Sequence, residues 1–167
     1  MKVTHGIEPV YNEHSRVLIL GTMPSPKSRE QGFYYMHPQN RFWRVLSVVL
    51  GEELEGDADK KKAVLLKRGI ALWDVLSSCD IKGAADSSIK NEQPNDLASI
   101  FDKACIKRVY TTGKTAQKLY KKYIDGECIA LPSPSPANCA VHFEELVEAY
   151  SVILEDLTDE RADKNAQ

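Results

Sequence analysis

A chain of 167 residues with 43% hydrophobic and 28% charged residues is long enough to bury a proper core and has the balance of an ordinary globular protein. No apolar run approaches the roughly 20 residues of a membrane helix, no signal-type apolar stretch opens the chain, and a net charge of −2 argues against coating nucleic acid by bulk electrostatics while leaving local basic patches open. The four cysteines, at 79, 105, 128 and 139, form no CxxC pair and no zinc spacing, so reduced thiols in a cytoplasmic protein without a bound metal are expected.

In chain order, Arg16 to Leu20 is a short continuous apolar run, as a strand covered on both faces requires, and Gly21 ends it. The segment that follows holds Thr22, Met23, Pro24, Ser25 and Pro26; two prolines so close remove backbone donors and hold their predecessors extended, so no helix is expected to start there. That excludes a Rossmann phosphate loop, which needs glycines and an immediate helix N-terminus. Phe33, Tyr34, Tyr35 and His37 then offer flat groups able to stack on a ring, and Pro38, Gln39 and Asn40 lead into a helix marked by Phe42, Val45, Leu46 and Val49 and stopped by Gly51. Asp57 caps a second helix ending at Gly69, and Ile70 to Leu76 reads as the second strand. Residues 77–94 are polar and turn-rich and read as a long loop. Asn95 is placed as the cap of a helix through Leu97, Ile100 and Phe101; a third strand follows over Ile106 to Thr111, then a helix with Ala116, Leu119 and Tyr120, and a fourth strand from Glu127 to Leu131. Pro132 to Asn138 forms a third loop before a last helix from about His142 to Leu157, and the polar tail from about residue 158 is expected to fray.

Strand and helix in alternation imply parallel strands with helices on both faces. The expected fold is a three-layer α/β/α sandwich around a mostly parallel four-stranded sheet, one domain over residues 1–167. Ligand crevices in such sheets lie outside the carboxyl ends of the strands, where three unusual loops should converge on one cleft.

The chemistry open to that cleft is narrow. Thr112-Gly113-Lys114-Thr115 has the end of a phosphate-binding loop, but the first glycine of that motif would fall at Arg108, and Gly113 is better read as a tight strand-to-helix turn. No Gly-x-Ser-x-Gly elbow exists, and Ser133 and Ser135 lie between prolines with no paired base nearby. A cleft of amides, hydroxyls and aromatics suits a reaction whose leaving group departs readily once its charge is stabilised, with the protein positioning a water. Cleavage of the N-glycosidic bond to a damaged base flipped out of a duplex is such a reaction.

The run from Arg16 through Gly21-Thr22-Met23-Pro24, the segment from Phe33 to Trp43 and the segment from Leu131 to Asn138 together resemble the uracil-DNA glycosylase superfamily, and within it the hypoxanthine (deoxyinosine) DNA glycosylase family. The resemblance implies a monofunctional enzyme that removes hypoxanthine from DNA, double- or single-stranded, without metal or cofactor and leaves an abasic site. Uracil-excising relatives keep an Asp or Asn before the proline; here Met23 stands there, a thioether that accepts too weakly to direct water.

The resemblance matches the family's catalytic Asn to Asn40, whose amide oxygen would hold the attacking water; Asn before a helix is also a preferred N-cap, and both roles hold only if the side chain is shared. Gly21, Thr22 and Met23 would wall the base, Phe33 or Tyr34 would stack on it, and His37, Trp73 and Asp74 are candidates for reading its edge. Ser133, Pro134, Ser135, Pro136 and Asn138 resemble the superfamily's loop that enters the minor groove, with Ser25, Lys27, Arg29 and Lys114 as backbone contacts. A monomer suffices. Two other classes stay open: a lesion- or nucleotide-binding module of the same fold without the chemistry, and a hydrolase of small nucleosides.

Overall fold

The structure, a computed structural model, describes residues 2–157. The tail expected to fray lies outside the described residues. Four strands, β2 (Val17–Gly21), β3 (Ile70–Asp74), β6 (Arg108–Thr112) and β7 (Ile129–Leu131), form one sheet in the order β3-β2-β6-β7, and every pairing in it is parallel. All five residues of β2 are buried, as its unbroken apolar run requires.

Alternation along β2 divides the core. Val17 and Ile19 face α2 (Phe42–Leu50), α3 (Ala58–Arg68) and α6 (Phe143–Tyr150), meeting Phe42, Val45, Leu46, Leu65, Leu146 and Tyr150. Leu18 and Leu20 face the other way, toward Ile100 of α4 (Ala98–Lys103) and Ala116 and Leu119 of α5 (Lys114–Tyr123). This is the expected three-layer arrangement.

Several local expectations are corrected. A helix does start in the proline-rich segment: α1 (Pro26–Gln31) has Ser25 as its N-cap, with the Ser28 N–H donating to Ser25 Oγ at 3.2 Å. Pro26 occupies the first helical position, where a missing N–H costs nothing, and the extended conformation that it imposes on Ser25 is the one a cap adopts. The run from Ile70 is two strands, since the chain bends at Val75 and continues as β4 (Leu76–Asp80). The supposed loop of residues 77–94 therefore contains β4 and β5 (Lys90–Pro94), which with β1 (Lys2–Thr4) make a separate antiparallel sheet in the order β1-β4-β5. Its strands are short, polar and half exposed, so they carry little periodic apolar signal. Asn95 does not cap α4; its Nδ2 donates to the carbonyls of Asp74 at 2.9 Å and Leu76 at 3.0 Å and fixes the bend between β3 and β4. The last helix is two, α6 and α7 (Ile153–Leu157).

All four cysteines are free, and among the described residues no helix is long and apolar enough to cross a membrane. Because Ile19 is fully buried in the central strand, Ile19→Ala should lower the unfolding free energy by about 2–5 kcal/mol. Val48→Ala, at a position 57% exposed, should stay within about 0.5 kcal/mol, both read by urea denaturation.

Candidate active site

The carboxyl ends of the parallel strands open into a cavity of about 120 Å³. Its walls bring together Gly21 to Ser25 after β2, Tyr34, Tyr35 and Asn40, Asp74 from the end of β3, Asp86 after β4, Thr112 from β6, and Ser133 to Ser135 after β7. A wider groove of about 740 Å³ adjoins it, sharing Asp86, Ser133 and Ser135 and adding Lys114 and Asn138. Segments far apart in sequence thus meet because parallel strands all end at the same edge.

Gly21 is the floor. It pairs in register with Asp74, and a Cβ at this position would be driven into Asp74 Oδ1 and would lie 3.0 Å from the Tyr35 hydroxyl and 3.4 Å from Thr112 Oγ1. Three oxygens therefore converge over a residue that has no side chain. Asp74 is only 3% exposed, and its Oδ2 lies 2.7 Å from His5 Nε2. Tyr35 and Thr112 share a hydrogen bond of 2.9 Å. Tyr35 reaches this place with φ at 54°, a left-handed conformation unusual for an aromatic residue, and its ring stacks on Phe42 at 4.0 Å between centroids. Burial, reinforced by the negative charge of Asp74, pushes the Tyr34 and Tyr35 hydroxyls far above the usual tyrosine range, so both remain protonated donors. Burial first and Asp74 second also push the Asp86 carboxyl on the rim upward.

Asn40 lines the cavity and accepts the Phe42 N–H on Oδ1 at 2.9 Å. Arg41, whose carbonyl accepts the first bond of the helix from the Val45 N–H at 2.9 Å, stands at the cap position and makes no side-chain cap bond, so Asn40 supplies that acceptor from one position earlier. A carbonyl oxygen has two lone pairs, so Oδ1 keeps one for a further donor. The Asn40 Nδ2 has no partner among the described residues.

Arg41 organises the loop after β7. Its N–H donates to Pro134 O at 3.1 Å, Nη1 to Val141 O at 2.5 Å, and Nη2 to Asn138 O at 3.0 Å and Ser135 O at 3.3 Å. Asn138 Nδ2 donates to Ser133 O at 3.0 Å, and the Tyr150 hydroxyl to Pro132 O at 2.7 Å. Pro136 stands exposed at the tip of a loop whose base is held on all sides.

Other candidates lie elsewhere. Phe33 is buried outside the cavity, stacked on Trp43 at 5.7 Å, and Tyr34 reaches the wall while its hydroxyl donates to Glu8 O at 2.7 Å. Trp73 points away from the cavity formed by its neighbour Asp74, as alternation along a strand requires, and its buried Nε1 has no partner among the described residues. His37 lies outside the lining with Nδ1 accepting the Gln39 N–H at 3.1 Å. Lys27 pairs with Glu30 at 3.8 Å on α1, and Arg29 donates to Pro24 O at 2.8 Å. His5, Asp86 and the guanidinium of Arg41 carried no sequence signal, and Thr112 stood out only as part of a strand-to-helix turn, because the fold alone brings each to this edge.

Residues 8–158 match the uracil DNA glycosylase superfamily. A protein of Methanosarcina acetivorans named hypoxanthine DNA glycosylase is 34% identical over 141 residues, 81% of this chain and 89% of that one. One of the same name from Methanosarcina barkeri is 38% identical over 111 residues, 65% of this chain and 70% of that one. A solution NMR structure of a Methanosarcina acetivorans protein assigned provisionally as a uracil DNA glycosylase superposes with a TM-score of 0.80 at 30% identity, covering 94% of this chain and 99% of that one.

Two substitutions test the site's construction. Arg41→Ala should speed amide exchange of Asn138 and Val141 by roughly tenfold or more, through loss of charge-assisted bonds to the loop, and leave Leu18 and Ile19 protected. Gly21→Ala should cost about 1–3 kcal/mol in thermal or urea unfolding, because the added methyl meets Asp74 and Tyr35 rather than open space.

Proposed function

The chain belongs to the uracil DNA glycosylase superfamily and is a DNA glycosylase, and from that premise we propose that the base it removes is hypoxanthine, flipped out of DNA into the cavity over Gly21. The observation that carries this is Asn40 lining the same cavity as Gly21, Asp74 and Thr112, with a lone pair of its Oδ1 still available. The names of the relatives, covering up to 81% of this chain, support the choice of base.

In the reaction the bond between C1′ and the base nitrogen breaks, and its electron pair leaves with the base. A water oxygen bonds to C1′ and the water's proton passes to solvent. Asn40 is neutral and takes no proton; its Oδ1 accepts a hydrogen bond from the water and so aims the water's lone pair at the sugar. Negative charge develops on the departing base, and the one hydroxyl proton that the Tyr35–Thr112 pair leaves free to donate stabilises it in a site where burial strengthens the bond. Gly21, Thr22, Met23, Tyr34 and Asp74 wall the base, while Met23 has no part in directing water.

Among the described residues that line the cavity there is no lysine to form a Schiff base with C1′, which favours a monofunctional enzyme. Ser133 to Asn138 probes the duplex, Pro136 foremost, and Lys114 and Ser25 meet the backbone. One chain supplies every group used, so the proposal is a monomer that needs no cofactor.

Alkali cleavage of a labelled duplex containing one deoxyinosine, with a uracil duplex in parallel, tests the function. Product from deoxyinosine should fall about 100-fold or more in Asn40→Ala, with DNA binding retained and about 1 kcal/mol of stability lost from the missing acceptor. Activity unchanged in that variant reduces Asn40 to its helix contact. Binding without base release by the wild type favours a recognition module instead.

A further inference from the structure

His5 lies 69 residues from Asp74 in sequence, yet the two side chains are buried together, at 4% and 3% exposure. The Ile7 N–H donates to His5 Nδ1 at 3.2 Å. A nitrogen that accepts carries no proton, so the ring proton sits on Nε2 and is donated to Asp74 Oδ2. The ring is held by Tyr34, tilted at 5.9 Å, and Trp73, edge-on at 6.3 Å. The segment that carries it is pinned by the His5 N–H to Ser77 O at 2.7 Å and by the Tyr34 hydroxyl to Glu8 O at 2.7 Å.

The consequence falls on the other carboxylate oxygen. With Oδ2 taken by His5, Oδ1 has no protein partner among the described residues and lies over Gly21 beside the Tyr35 and Thr112 hydroxyls, in the wall of the cavity. A carboxylate oxygen only accepts. Of the two hydroxyls, one donates to the other, which leaves one proton free to donate outward. The cavity wall therefore offers an acceptor next to a donor. A deaminated base offers the complement, a ring N–H next to a carbonyl; its parent, adenine or cytosine, offers a bare ring nitrogen next to an amine and would face the carboxylate with a lone pair.

We infer that His5 is a positioning residue that turns Asp74 into an acceptor-only reader of the ring N–H of a deaminated base, with the Tyr35 and Thr112 hydroxyls serving the adjacent carbonyl. The inference deepens the glycosylase function proposed above and rests on it. His5 never touches the base; it acts by holding one oxygen so that the other faces the cavity.

The test compares duplexes containing deoxyinosine and N1-methyldeoxyinosine, which lacks the ring proton. His5→Asn keeps an acceptor for the Ile7 N–H but withdraws the donor from Asp74, and His5→Gln extends an amide N–H back toward it. Wild type should prefer deoxyinosine; in His5→Asn that preference in kcat/KM should shrink by roughly 10- to 100-fold, the scale of one hydrogen bond to a charged group, and His5→Gln should recover most of it. Rejection of the methyl group by the cavity walls alone would survive His5→Asn unchanged, so an unaltered preference in a variant with wild-type thermal unfolding overturns the inference. Should His5→Asn fail to fold, Asp74→Asn reads the same ratio, and an unaltered preference there overturns it equally. If wild type releases neither base, the glycosylase proposal fails by itself, and equilibrium binding of the two duplexes then decides: equal binding overturns the inference, and tighter binding of deoxyinosine that is lost in His5→Asn supports it.

Discussion

Across the two central strands Gly21 pairs with Asp74, and the carboxylate occupies the volume that a side chain at position 21 would take. Everything at the carboxyl edge of the sheet depends on that close approach. It allows a charged group to sit over the backbone of a fully buried strand, and it sets the Tyr35 and Thr112 hydroxyls within reach of the same point. A carboxylate this deep in the fold persists because it is partnered: His5 satisfies Oδ2, and the cavity leaves Oδ1 open to a ligand. The N-terminal segment, which looks peripheral in the chain, thereby braces the wall from behind.

The same edge shows what it costs to bring an aromatic hydroxyl to the floor. Tyr35 adopts a left-handed backbone, a state that costs about 1–3 kcal/mol for a side chain of this kind and persists only where neighbours over-determine it. Here its stacking on Phe42 and its bond to Thr112 do so. Arg41 performs a comparable service for the loop after β7. Four bonds, one from its backbone and three from its guanidinium, tie that loop to the start of α2, so the segment proposed to enter DNA is anchored on the helix that follows Asn40. Asn40 and the loop after β7 are thus mounted on one unit, which is what the roles proposed for them need.

The helix contact of Asn40 is compatible with the catalytic role proposed for it. Its oxygen accepts an orphan N–H at the start of α2 and is held by that bond in one orientation, which is what a group that must aim a water requires. A helix contact and a catalytic role do not compete when the first supplies the rigidity for the second.

Much of this was legible in the residue order. An unbroken apolar run announced a strand buried on both faces, the alternation of strand and helix announced the parallel sheet, and the loops at strand ends announced where a cleft would form, because these follow from local pattern and from the handedness of crossovers. Polar half-exposed strands such as β5 and a helix begun on Pro26 were not legible, since the first lacks periodicity and the second depends on Ser25 acting as a cap. Nor could sequence choose among adjacent aromatics: Phe33, Tyr34 and Tyr35 have similar chemistry, and only packing sends Phe33 to Trp43 and Tyr35 to the cavity floor. The chain by itself determined the fold and the small set of segments that could carry chemistry. The tertiary structure alone decided which oxygen faces which, because a contact such as His5 with Asp74 is made between residues whose separation along the chain says nothing of their distance in space.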